Sequence, residues 1–401
     1  MAEVAARLGD RSLFPTLRPF AYCNHAAVSP ASTPVLQAVQ RALTDYAREG
    51  MGAFFPWLAQ RDQLRARLAR LVGASAGEIA LTPSTTRGIS DIALSLPWRS
   101  GDRIVLFEGE FPTNVTPWQC AARTFGLELV WLQAEAFAAG EGLERLEAEL
   151  ARGARLVAVS AVQFQSGLHM PLVEMGKLCR EHGAELFVDA IQALGVVPLD
   201  VERAQIDYLS AGGHKWLMGM EGTGLLYVRR ERAAELVPRV AGWLSHERAD
   251  EFLRLGAGHL RYDREFKRDA SLFEGSAQNV LGFAALDAAV GLLEELGIDR
   301  IFEHVQNYHA RLEAALLERG FSSLRSPQRE RRSGTASFRA PAHVDPVALH
   351  RALLERGVAC GLPDGVLRFS PHWPNHAGEV EGIAERVDAA LGETGVSKPA
   401  S

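Results

Sequence analysis

Between about residues 78 and 228 the chain alternates two patterns: short apolar runs, and longer segments whose apolar residues recur every three or four positions. The short runs, over 78–81, 103–107, 127–132, 155–162, 185–190, 207–211 and 224–228, have the length and composition of strands. The longer segments, over 87–96, 114–124, 143–151 and 172–182, read as helices. This alternation predicts an α/β fold, a mostly parallel sheet with helices on both faces. The run at 224–228 follows a short glycine-rich turn and is the candidate for an antiparallel strand.

The C-terminal third changes character. Helical patterns extend over 280–296 and 299–319, the second with Ile301, Val305, Tyr308, Leu312 and Leu316 on one stripe. Strands at 335–339 and 366–370 and helices at 346–356 and 377–391 complete a smaller α+β unit. The expected organisation is an N-terminal segment over 1–30 packing near the site, a large α/β unit over 31–280 and a small unit over 281–401. The arginine-rich stretch 325–333 is expected to be a solvated loop, and the tail 398–401 to be disordered.

Composition adds bounds. The chain has 401 residues, 47% apolar and 23% charged, with a net charge of −6. That balance gives no reason to expect nucleic acid or an anionic membrane as a partner. Cys23, Cys120, Cys179 and Cys360 lie far apart without a CxxC pair, so free thiols are expected, with no structural metal. No secretory leader or membrane-length apolar run is legible, and a cytoplasmic location is the expectation.

The candidate chemistry centres on residues 187–216. An apolar strand ends in Val188-Asp189-Ala190, and 26 residues after Asp189 comes Lys215, within Gly212-Gly213-His214-Lys215-Trp216. A buried carboxylate and a lysine in apolar company are what pyridoxal 5'-phosphate (PLP) requires: an amine for a Schiff base and an anion against the pyridine nitrogen. Gln192 is a candidate donor to the cofactor's phenolate oxygen. Ser84-Thr85-Thr86, where a strand turns into a helix, has hydroxyls and free N–H groups suited to phosphate, as does His214. Simple N-capping would equally explain those hydroxyls. Phe111 could stack on the ring or pack in the core. Arg368, in an otherwise apolar strand, is a candidate fork for a substrate carboxylate; His25 could line the substrate pocket or, equally, be a satisfied N-terminal histidine. Ser84, Glu110, Gln163, Asp189 and Lys215 all fall at or just after strand ends, where parallel sheets carry their sites.

These segments resemble the class V aminotransferase family, the fold-type-I PLP group that includes cysteine desulfurases, kynureninases and isopenicillin-N-epimerase-like proteins. NHAAVSP (24–30), TPSTTRGIS (82–90), EFPTNVTPW (110–118), FVDAIQALG (187–195), SAGGHKW (210–216), FEGSAQN (273–279) and LRFSPHWPN (367–375) run in family order across nearly the whole chain. The resemblance implies Lys215 as the Schiff-base residue, Asp189 as pyridinium partner and Gln192 as phenolate donor. It implies Thr85, Thr86 and His214 as phosphate ligands, Phe111 as ring stacker and Arg368 as carboxylate anchor. It also implies a homodimer in which Gly275 and Ser276 approach the phosphate held by the other subunit.

Two departures bear on the reaction. Only Cys360 lies near the position of the desulfurases' mobile cysteine, and Gly361-Leu362-Pro363-Asp364-Gly365 leads almost directly into the arginine strand. Gln163-Phe164-Gln165-Ser166-Gly167 stands where desulfurases carry Ser-Asn before a glycine. The expectation is a PLP enzyme that removes the Cα proton of an α-amino acid, with transamination first, then β-elimination such as C–S cleavage, or epimerisation. The alternative of another class is a non-catalytic PLP-fold scaffold or sensor. A nucleotide-binding protein is disfavoured, because GxxxxGK[ST] and GxGxxG are absent.

Overall fold

The computed structural model describes residues 5–394; the tail at 398–401 lies outside them. In chain order the elements are β1 (Ala21–Tyr22), α1 (Thr33–Glu49), α2 (Phe54–Val72), β2 (Ile79–Thr82), α3 (Thr85–Ser95), β3 (Arg103–Glu108), α4 (Thr116–Phe125), β4 (Glu128–Gln133), α5 (Glu135–Ala138), α6 (Gly142–Ala151), β5 (Ala154–Ser160), α7 (Leu172–Glu181), β6 (Glu185–Asp189), β7 (Tyr208–Gly212), β8 (Gly224–Val228) and α8 (Arg230–Ala233). Then follow α9 (Val280–Leu296), α10 (Ile298–Leu317), β9 (Ser322–Ser323), β10 (Ala336–Arg339), α11 (Pro346–Glu355), β11 (Val358–Ala359), β12 (Leu367–Phe369) and α12 (Glu379–Thr394).

Seven strands form one sheet in the order β2-β8-β7-β6-β5-β3-β4. Only β8 runs against its neighbours, β7 and β2, as the glycine-rich turn before it suggests. Side chains alternate between two cores. Leu156, Ala158, Phe187, Tyr208 and Leu226 face Ile92 of α3 and Trp118 of α4. Val157, Val159, Leu186, Val188 and Leu209 face the other way, onto a core shared with α2, α7 and α9. Burial on both faces is why these strands read as near-continuous apolar runs.

A third core lies around the three-stranded sheet β12-β10-β9. The boundary between cores falls within α10: Ile301 and Val305 join the large core, Tyr308, Leu312 and Leu316 the small one. Helix α9, which the sequence reading assigns to the C-terminal unit, contributes Phe283, Leu286 and Leu293 to the large core. The N-terminal β1 pairs in parallel with β11 and places Ala21 and Cys23 in the small core. The pair α1–α2 has no counterpart in the sequence reading, because arginines interrupt the apolar positions of α2. Three of them are held by acids: Arg65 by Glu274, and Arg67 and Arg70 by Glu294.

The arginine-rich stretch is solvated over 327–330, as expected, but anchored on either side. Arg325 pairs with Glu313 at 2.8 Å and bonds the Gln306 amide oxygen, while Arg332 donates to Ser326 O and Pro327 O. The loop is latched to α10 because the acids that neutralise it come from 12 or more residues away. No helix among the described residues is long and apolar enough to cross a membrane, and no cluster of three metal-ligating side chains occurs among them.

The packing of α3 on β7 brings the helix start to the sheet's carboxyl edge. Gly88 permits it, since a Cβ there would lie 2.3 Å from Ser210 Oγ, the hydroxyl that donates to Thr85 O. Gly88→Ala is expected to lower unfolding stability by roughly 1–3 kcal/mol, the usual effect of overpacking. Chemical denaturation would check this; an unchanged midpoint would show that α3 can shift freely.

Candidate active site

Thr85, Phe111, Asp189, Gln192 and Lys215 lie at or shortly after the carboxyl ends of strands of the seven-stranded sheet. Asp189 is the last residue of β6 and only 2% exposed. Its carboxylate accepts the Ile191 N–H at 3.0 Å and forms no salt bridge among the described residues. Burial pushes this carboxyl up to about 7; the Ile191 N–H and Lys215 pull down, and Glu110 pushes further up. Lys215 follows β7. Burial lowers its amine to about 8, with Asp189 opposing and Arg368 reinforcing the drop. The Phe111 ring lies 5.5 Å from Lys215 Nζ. An amine lowered to about 8 beneath an aromatic face, near a buried carboxylate without a salt bridge, can serve as nucleophile and proton carrier.

At the start of α3, Ser84 caps the helix by accepting the Arg87 N–H at 3.1 Å. Thr85 Oγ1 is buried without a partner among the described residues, and Thr86 Oγ1 meets Thr113 Oγ1 at 3.1 Å. The capping explanation therefore covers Ser84 but leaves Thr85 unexplained. His214 is half-buried, and burial with the adjacent Lys215 lowers its pKa. Gly275 and Ser276 line a cavity of about 240 Å³ with Pro83, Arg87 and Gly242, and Lys215 is not part of its wall. Ser276 is exposed.

The N-terminal segment crosses beneath this group. Ser29 Oγ donates to Lys215 O at 2.5 Å, and Ser29 N to His214 O at 2.8 Å. Gln192 is occupied on both ends of its amide, donating to Ala26 O and accepting Trp216 Nε1–H, each at 3.0 Å. One Nε2 hydrogen is left for another acceptor. Of the two readings of His25, the structure matches the satisfied N-terminal histidine. Its ring packs among Tyr22, Trp216 and His372, and its Nδ1 meets Ser29 Oγ at 2.7 Å. Burial and His372 hold it well below the usual histidine range. It supports Ser29, and through it the Lys215 backbone.

Arg368 lies on β12, 7% exposed. Its Nη1 donates to Phe164 O at 2.9 Å, while Nε is buried without a partner. It forms no salt bridge among the described residues, and burial lowers its guanidinium to about 10. The sequence reading missed how the aromatic wall is built. Phe164 meets Phe111 edge-on at 5.4 Å, so one residue touches both the ring over Lys215 and the arginine. Glu110 fixes the neighbouring turn: it accepts Ser160 N at 2.7 Å, the Ser160 hydroxyl and Gln163 Nε2 at 3.2 Å. An acidic residue directly after a buried strand was the available signal.

An unpaired buried carboxylate, an orphaned threonine hydroxyl at a helix start and a depressed lysine fit the ring nitrogen, phosphate and aldehyde of PLP. A family model described as Aminotransferase class-V matches residues 21–362. The chain belongs to that family. It is therefore a PLP enzyme. A probable cysteine desulfurase of Pyrococcus abyssi is 29% identical over 95% of this chain and 97% of its own. Isopenicillin N epimerase of Streptomyces clavuligerus is 28% identical, covering 82% of this chain and 84% of its own. The cystine C-S lyase C-DES, solved with cysteine persulfide, superposes with a TM-score of 0.84 at 24% identity, covering 93% of this chain and 98% of its own. At that identity the likeness concerns the fold, and it agrees with the class V fold-type-I architecture.

The Asp189 environment makes a signed prediction for the cofactor-free protein. Its folded carboxyl titrates near 7 against 3.8 when unexposed to the fold's influence. Below about 4 both states hold the proton; as pH rises to 7 only the folded state does, so stability falls across that window. Cofactor-free Asp189→Asn should therefore melt several degrees above the parent at pH 8 and converge with it near pH 4. With cofactor bound, the order should reverse. Calorimetry at the two pH values checks it; an equal difference at both would refute the buried-charge account.

Proposed function

We propose that this protein is a PLP-dependent lyase that breaks a Cβ–S bond of an α-amino acid without forming a protein persulfide. The observation that carries the reading is the unpaired fork of Arg368 beside the depressed Lys215 amine, an anchor for a carboxylate next to a base. The names of similar proteins support cleavage at sulfur over transamination, so the order drawn from the sequence is revised.

Asp189 would lie against the ring nitrogen, Phe111 on the ring face, and Gln192's remaining amide hydrogen toward the ring oxygen. Thr85, Thr86 and His214 would hold the phosphate. When bound, the cofactor supplies an electron sink for negative charge developing at Cα. Arg368 holds the substrate carboxylate bidentately and so fixes which Cα bond stands over the ring. Lys215 Nζ takes the Cα proton, which its lowered pKa allows near neutrality. The electron pair from that C–H bond forms the Cα–Cβ double bond, and the Cβ–S bond breaks to release a thiolate or, from a disulfide substrate, a persulfide. Hydrolysis of the resulting enamine gives pyruvate and ammonia. Cys360 stays out of the chemistry: it is buried, its thiol raised to about 12 by burial. The stretch between β11 and β12 is too short to carry it outward.

We further propose a homodimer in which the second copy supplies Gly275 and Ser276 at the phosphate end. Ser276 is exposed, on a cavity whose wall does not include Lys215. Exposed Tyr46, Met51 and Phe55 provide apolar surface for such a contact.

The test is a product assay on the cofactor-loaded enzyme with L-cystine, L-cysteine and other L-amino acids. Pyruvate with released sulfide or persulfide is the expected outcome. Pyridoxamine phosphate with a keto acid would overturn the lyase reading, and binding without turnover on any amino acid would favour a scaffold. Lys215→Ala should abolish the visible band of lysine-linked cofactor and slow turnover by at least about 10²-fold; a surviving band would mean a different lysine.

A further inference from the structure

We infer that Asn24 and Gly361 complete the substrate-carboxylate site around Arg368, with Gly361 keeping it open; this rests on the role proposed for Arg368. Gly361 and Arg368 face each other across an antiparallel bridge, each N–H donating to the other's carbonyl at 2.8 Å. Opposed residues in such a pair carry their side chains on the same face, with Cβ atoms about 5 Å apart. Glycine at 361 therefore leaves the arginine side chain room over the neighbouring strand. A Cβ at 361 would lie 3.3 Å from Arg368 Nε, 3.4 Å from its Nη2 and 3.2 Å from Asn24 Oδ1. All three polar atoms border the space that the missing side chain leaves.

Their hydrogen-bonding state gives that space a chemistry. Arg368 Nη1 is committed to Phe164 O. Nε has no partner, and Nε with Nη2 forms the parallel pair of N–H donors that receives a carboxylate bidentately. Asn24 Oδ1 is likewise buried without a partner. It is held there by the Asn24–Ser370 bridge and by the N–H groups of Ala27 and Val28, which donate to Asn24 O. A donor and an acceptor thus border one space without satisfying each other. A half-turn of the Asn24 amide presents Nδ2–H instead, adding a donor to the arginine fork. The occupant that satisfies this set is the α-carboxylate of an amino acid.

The bland alternative is that Gly361 is small only to let two strands pass, and ligand titration separates the two. L-Alanine and ethylamine differ by the carboxylate, and the absorbance change of the cofactor-loaded enzyme reports binding of either without turnover. Gly361→Ala should weaken L-alanine at least about tenfold and change ethylamine by less than about twofold, with the melting temperature and the initial cofactor band preserved. The methyl would meet only the ends of flexible side chains, and Gly361 does not occupy the left-handed region, so the fold should tolerate it. Asn24→Asp, which sets a like charge beside the carboxylate, should weaken L-alanine similarly and serves if the glycine variant fails to fold. Equal shifts for both ligands, or none for either, would overturn the inference. If the parent enzyme responds to no L-amino acid, the proposed function itself fails instead.

Discussion

A carboxylate and an amine buried near one another without pairing is the arrangement on which the rest of this molecule depends. In contact, Asp189 and Lys215 would form an ion pair that stabilises both charges and leaves no free amine. Held apart in apolar surroundings, each is pushed toward its neutral form, at about 7 and about 8. That state is unfavourable, since an unsatisfied buried charge costs several kcal/mol. Only a rigid frame can sustain it, and adjacent parallel strands β6 and β7, buried along their whole length, provide one.

The frame is completed by contacts from the small unit. Carbonyls of the stretch after β5 are each taken by a side chain from that unit: Phe164 O by Arg368, Gln165 O by Ser337 at 2.5 Å and Gly167 O by Ser333 at 2.7 Å. The position of Phe164 is thereby fixed from the small unit, and Phe164 in turn abuts the ring over Lys215. A ligand that draws on Arg368 pulls on the same chain of contacts. Coupling between the anchor and the reactive amine therefore has a physical route through one carbonyl and one aromatic pair, with no need for movement of whole domains.

Much of this was legible in the residues. The strand alternation gave the sheet, because burial on both faces leaves an unambiguous apolar signature, and Asp189 and Lys215 stood out as charges in apolar company. What escaped was everything that depends on long-range pairing. Nothing in the sequence shows that Trp216 and His372 enclose His25, or that Ala26 and Trp216 hold the Gln192 amide in place. The arginines at 325–332 look solvated until Glu313 and Gln306, distant in sequence, are brought beside Arg325. The cores divide inside α10, a continuous helix that carries no break to mark the change.

The same distinction bears on reaction choice. In the roles proposed for them, lysine, aspartate and arginine make a PLP site for an amino acid, but proton removal at Cα is common to transfer, elimination and epimerisation. What separates these outcomes is where the next proton or leaving group goes, and that is governed by loops. A protein persulfide requires a thiolate that can travel to the substrate sulfur. Cys360 starts buried in the small core, next to the β1–β11 ladder, and the backbone of Gly361 is hydrogen-bonded to Arg368 on both sides. Moving the thiol would break the ladder that holds Arg368. On the proposed lyase reading, sulfur that leaves the substrate then departs as a small molecule, released and not captured.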